Sequence, residues 1–310
     1  IVGVSNYESG STQLPSAAFY DFPKQKTSAI RAGINGSTGP MCQADIDGDG
    51  VLEVFVGGQI IPAQYPAPAD SALVKFENRN SKVLYKWDKL GMVQSAVFSD
   101  VYGNEKPELI ITQHWGSLRV FTWADNNWNP IEITDQLGLS KLTGWWNGVA
   151  TGDFNNDGLI DIVATNWGLN WRSKPTLNKP NRIYFGDLYG DGSTAAIEAS
   201  LIKNEWKPDR RLNILSAALP AIRENVLTFE KLGRSNVRNA FGSNIENLEF
   251  LDVVEFRSGV FINNFNAPMD FIPLPDKAQL TVSFGVVVED FDGDAFQDVF
   301  ISQNLSLIHI

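Results

Sequence analysis

The residues best placed to do chemistry are carboxylates at odd spacing. In "ADIDGDGVLEVFVGG" (44–58), Asp45, Asp47, Asp49 and Glu53 stand at positions 1, 3, 5 and 9 of a nine-residue frame. Side-chain oxygens there, with the carbonyl of Val51 at position 7, suit one hard cation. Ca²⁺ takes about six to eight oxygens at roughly 2.3–2.6 Å. Zn²⁺ would need Cys or His, and both histidines, His114 and His309, lie outside the frame. Gly50 at position 6 permits the sharp turn that wrapping requires.

The frame recurs. "GDFNNDGLIDIVATNWG" (152–168) offers Asp153, Asn155, Asp157, Asp161 and the carbonyl of Leu159. "EDFDGDAFQDVFISQN" (289–304) offers Asp290, Asp292, Asp294, Asp298 and the carbonyl of Phe296, with Ala295 in the glycine position. Two poorer copies run over 100–108 and 187–195. Tyr102 and Tyr189 replace a ligand in these, and Ala195 a second, so they are expected to bind weakly or to stay empty. An EF-hand is a poor match, since position 12 is Val56, Ala164 or Ile301 rather than a bidentate Glu. β-branched and aromatic residues follow each frame and predict strands, not helices. The expectation is about three Ca²⁺ sites at strand–turn–strand junctions. An Asp/Gly-rich hairpin turn without metal is the plainer alternative.

First aspartates fall at 45, 100, 153, 187 and 290, the first two steps being 55 and 53 residues. A near-constant period signals one supersecondary unit per repeat, as in propeller blades. The frames, with "GMVQSAVFSD", "LTGWWNGVATGDFNNDGLIDIVATNWGLN" and "SGVFINN", resemble the FG-GAP/VCBS repeat proteins, and more narrowly bacterial secreted proteins that pair VCBS repeats with ASPIC/UnbV domains. The resemblance implies an extracytoplasmic, calcium-stabilised, integrin-α-like β-propeller, secreted or displayed at the cell surface. It implies no activity.

The fold expected is therefore all-β: one β-propeller domain or fragment over 1–310. About five blades' worth of chain is present, from a ring that in this repeat class has seven, so the ring is expected to be incomplete. The period fails between Asp187 and Asp290. There Leu212, Leu215, Leu219, Ile222 and Val226 step by 3 and 4, a helical stripe interrupted at Pro220. This predicts a helical insertion at 210–250. The opening "IVGVSNYES" reads as a strand and suggests an excised or mature piece. The closing "LSLIHI" reads as a truncation or cloning remnant.

A net charge of −11 argues against nucleic acid as partner, and no apolar run is long enough to span a membrane. One cysteine, Cys42, excludes an internal disulfide framework. No nucleophile elbow, P-loop or dinucleotide fingerprint occurs. Nine tryptophans are many, and Trp145, Trp146, Trp167, Trp171 and Arg172 gather around the third frame. They predict either packing between blades or an aromatic platform for a glycan or protein ligand. Ligand binding or adhesion is the function expected. A polysaccharide-processing enzyme on the same scaffold and a purely architectural envelope module are the alternatives.

Overall fold

The computed structural model describes residues 1–9, 15–77, 80–124, 128–265 and 267–304. The closing "LSLIHI", with His309, lies outside them. The described chain is mostly β, arranged in several antiparallel sheets.

Strands β1 (Val2–Gly3), β2 (Ala17–Asp21) and β3 (Lys26–Ile30) form a small sheet. Strands β4 (Ser37–Ala44), β5 (Glu53–Ile60), β6 (Ala69–Glu77), β7 (Asn80–Ser99), β8 (Glu108–Gly116), β9 (Arg119–Trp123) and β10 (Pro130–Glu132) then pair in chain order, and β11 (Gly144–Trp145) adds to β8. The sequence predicts two strands from "KVLYKWD" and "SAVFSD". The structure has one, β7, whose first half pairs with β6 and second half with β8. Lys89 and Gly91 sit in its middle at φ 52° and 145°, so the strand bends there and serves two blade-like units.

The third unit is interrupted. β12 (Val149–Gly152) pairs with β13 (Asp161–Ala164), whose other neighbour is β18 (Gly259–Ile262), followed by β19 (Asp270–Pro273). Between β13 and β18 the chain builds a separate sheet, in the order β16–β15–β14–β17, from β14 (Asn181–Gly186), β15 (Ala195–Ile202), β16 (Glu205–Pro208) and β17 (Glu249–Val253). Helices α1 (Leu212–Ala218), α2 (Ile222–Asn225), α3 (Phe229–Arg234) and α4 (Val237–Phe241) pack on it. All five stripe leucine, isoleucine and valine positions are buried in this core, and Leu219–Ala221, with Pro220, separates α1 from α2. The insertion is thus a sheet with helices, longer than the helical segment expected at 210–250. The fourth frame belongs to its β14–β15 hairpin, which is why the repeat period breaks there. A last hairpin, β20 (Ser283–Glu289) and β21 (Asp298–Gln303), packs against β12.

Alternation along β8 shows how the units stack. Leu109 and Ile111 enter a core with Phe55, Leu73 and Trp87 of the preceding unit. Ile110, pointing the other way, enters a core with Trp146, Ile162 and Phe261 of the following one. Period-2 burial on both faces is what sheets stacked face to face require. The first strands of successive units, β4, β7, β12 and β20, are in contact in that order. Gly148, just before β12, marks a close approach: a Cβ there would run into the carbonyl oxygen of Phe284. The result is a fan of sheets; the described residues do not close into a ring of five or seven blades.

Candidate functional site

Each acidic frame links the first strand of a sheet hairpin to the second: β4–β5, β7–β8, β12–β13, β14–β15 and β20–β21. They are called loops one to five in that order. All five share one backbone turn. The position-1 aspartate accepts from the amide of position 6 at 2.7–3.0 Å: Asp45 from Gly50, Asp100 from Glu105, Asp153 from Gly158, Asp187 from Gly192 and Asp290 from Ala295. The position-5 side chain accepts from the amide of position 7, as Asp49 does from Val51, Asp157 from Leu159 and Asp294 from Phe296.

Position 6 is left-handed in every loop, at φ 83°, 64°, 85°, 80° and 69° for Gly50, Glu105, Gly158, Gly192 and Ala295. Position 4 is left-handed too, at Gly48, Gly103, Asn156, Gly190 and Gly293. Sequence reasoning missed this second requirement, although glycine or asparagine stands there in all five copies.

Position 9 opens the second strand and faces inward. Glu53 Oε2 accepts from Ile46 N at 2.9 Å, Asp161 Oδ2 from Phe154 N at 2.9 Å and Asp298 Oδ2 from Phe291 N at 3.1 Å. Burial raises the Asp161 carboxyl above the ordinary carboxylate range, although the amides of Asn263 and Phe154 act against that rise. In loop two Glu108 holds the same place, buried, with its carboxyl raised mainly by desolvation. Loop four has Ala195 there and no carboxylate.

Convergence of the side chains differs among the loops. In loop five, oxygens of Asp290, Asp292 and Asp294 lie within 4.8 Å of one another, and no ion pair to them is found among the described residues. That donor set, all hard oxygen, fits a calcium ion. Loop three has an amide in place of a carboxylate at position 3, and Asn155 Nδ2 donates to Asp157 Oδ2 at 2.9 Å. It abuts loop five: Asp153 N donates to Gln297 Oε1 at 2.7 Å. In loop one, oxygens of Asp45, Asp47 and Glu53 also lie within 4.8 Å of one another. Here, however, the buried ammonium of Lys75, from β6, enters the cluster. Its Nζ lies 2.7 Å from Asp49 Oδ2, 3.2 Å from Asp47 Oδ2 and 2.9 Å from Glu53 Oε1. The Glu53 contact is an ion pair off the hydrogen-bonding direction. Burial disfavours the Lys75 charge, but its contacts with the Asp49, Glu53 and Asp47 carboxylates outweigh that and hold the ammonium protonated. Asp49 is held below its usual range, first by that same Lys75 bond.

The tryptophans do not form one platform. Trp145 and Trp146 are neighbours around the end of β11 and point to different cores. Trp146, fully buried, packs on Phe261 and Phe271. Trp145, 8% exposed, packs edge-on to Trp115, Trp167 and Trp171 and against Phe256. Trp167 and Trp171 are half-buried, at 5.7 Å and 88°, and Arg172 lies 5.5 Å over the Trp171 ring. Arg172 also donates to the Asp209 carbonyl at 2.6 Å. The structure therefore brings together Trp167, Trp171 and Arg172 at the surface, with Trp145 beneath them and Trp146 elsewhere.

His114 Nε2 is 2.9 Å from Asn147 Oδ1, and burial lowers its pKa. Burial pushes the Cys42 thiol above its usual range, away from the thiolate. No helix among the described residues is long and apolar enough to cross a membrane.

No curated protein gives a match to the chain. Residues 100–164 match the profile of the FG-GAP-like repeat, a span that begins at the first aspartate of loop two and ends with β13, the strand that follows loop three. The turn geometry shared by all five loops and this match together show that the chain carries an FG-GAP-like repeat in a mainly β fold.

Proposed function

We propose that the chain is an extracytoplasmic, calcium-stabilised, propeller-like module that binds a glycan or protein ligand. The observation that carries the reading is loop five, where oxygens of three carboxylates lie within 4.8 Å of one another with no ion pair to them among the described residues. Asp290, Asp292, Asp294, Asp298 and the Phe296 carbonyl would hold the ion there. Asp153, Asn155, Asp157, Asp161 and the Leu159 carbonyl would hold one in loop three. A bound calcium supplies charge neutralisation and cross-links the two strands of each hairpin. It leaves the chemistry of recognition to other surfaces.

The ligand surface is assigned to Trp167, Trp171 and Arg172. Partly exposed aromatic rings beside a guanidinium suit a sugar ring or a peptide. A glycan-array and pull-down screen, run with calcium and again with chelator, tests the function. A ligand captured only with calcium is expected, and Trp171→Ala is expected to weaken it about tenfold or more. Capture of no ligand under either condition would leave the architectural reading in its place.

A further inference from the structure

Loop one carries every donor of the calcium frame, yet its cluster is already entered by a cation from the protein itself. In each carboxylate of this loop one oxygen is committed to the backbone: Asp45 Oδ2 to Gly50 N, Asp47 Oδ1 to Asp49 N, Asp49 Oδ1 to Val51 N and Glu53 Oε2 to Ile46 N. The remaining oxygens are those a metal would use. Lys75 Nζ lies within 3.2 Å of three of them: Asp47 Oδ2, Asp49 Oδ2 and Glu53 Oε1. The fourth, Asp45 Oδ1, is buried and has no hydrogen-bond partner.

Strand register puts the lysine there. Glu53 and Lys75 are direct cross-strand partners in the antiparallel β5–β6 pair. Lys75 is only 5% exposed, and the Trp128 ring lies 5.7 Å from Nζ, so the ammonium is held rather than draped over the surface. Among the described residues no lysine or arginine is seen paired with the position-9 side chain of another frame. In loop two, Thr122 of β9 donates to Glu108 at 3.1 Å. In loop three, position 9 meets the amide of Asn263 at 2.8 Å.

We infer that Lys75 is the resident cation of loop one, standing where calcium would stand and excluding it. The inference rests on the proposal that this frame is a calcium frame. A divalent ion at loop one would need the three oxygens that Nζ contacts, and it would repel the ammonium at close range. Loop one is accordingly a turn whose charge is balanced from within, and it stays folded when free calcium is scarce. Calcium dependence is confined to frames without a lysine.

Native mass spectrometry and calorimetric titration of the full chain with CaCl₂ test this, comparing wild type with Lys75→Met and with Asp47→Asn. Lys75→Met is expected to bind one more calcium than wild type, and its melting temperature to fall in chelator and recover with calcium. Asp47→Asn in the wild-type background is expected to leave the calcium count unchanged, a result that does not depend on the lysine variant folding. Loss of one calcium in Asp47→Asn, or no gain in a folded Lys75→Met, overturns the inference while leaving the calcium frames elsewhere intact. No calcium bound by any of the three proteins overturns the calcium reading itself, and this inference with it.

Discussion

Gly158 isolates what the turn asks of a single residue. Its φ is +85°, and a Cβ added there meets nothing within 4 Å, so substitution acts through backbone conformation alone. A left-handed non-glycine residue costs about 1–2 kcal/mol. Gly158→Ala is expected to lower the unfolding free energy in urea by about 1 kcal/mol. Gly233→Ala is the contrast: Gly233 lies in α3, has open space and no positive φ, and is expected to gain about 0.5 kcal/mol. Equal losses at both would mean that the turn is not what position 6 is selected for. The carboxylates at positions 1, 3, 5 and 9 were legible because ligand spacing within one turn is local. Lys75 was not. It lies well beyond the frame in sequence, and only the β5–β6 register carries it back. Nor was the separation of Trp145 from Trp146 legible, because it depends on which cores flank β11.

At the scale of elements, β8 holds a titratable group against the core. His114 accepts burial at the cost of its charge, so its pKa lies below the ordinary value of 6.5 in the folded protein. In the range between the folded value and 6.5 the unfolded chain binds more protons, and stability rises with pH; above 6.5 the contribution is complete. Urea denaturation across about pH 5–7.5 is expected to show stability falling on the acid side. His114→Gln is expected to flatten that part of the profile. An unchanged slope in the variant would show that carboxylates alone set it. Strand and helix types in this region followed from local pattern, as the buried stripe of α1 and α2 illustrates. The insertion's own sheet was less legible. Its β14–β15 hairpin carries the same acidic frame as the blade-like units, so local sequence does not tell the two apart; pairing of β14 with the distant β17 does.

Across the whole molecule, the acidic frames concentrate like charge at the turns of stacked sheets in a chain of net charge −11. Loops three and five meet directly through Asp153 N and Gln297, so repulsion in one is felt by the other. Cations bound only in the folded state relieve that repulsion and stabilise by mass action. At one hundred times Kd, each filled site contributes about 2.7 kcal/mol, which in a chain of this size raises Tm by several degrees at about 2–4 °C per kcal/mol. The central claim is tested most directly by thermal melting of the full chain in calcium and in chelator, beside Asp290→Asn. The account predicts a Tm several degrees higher in calcium and a clearly smaller shift in the variant. Superimposable wild-type melting curves with and without calcium would contradict it.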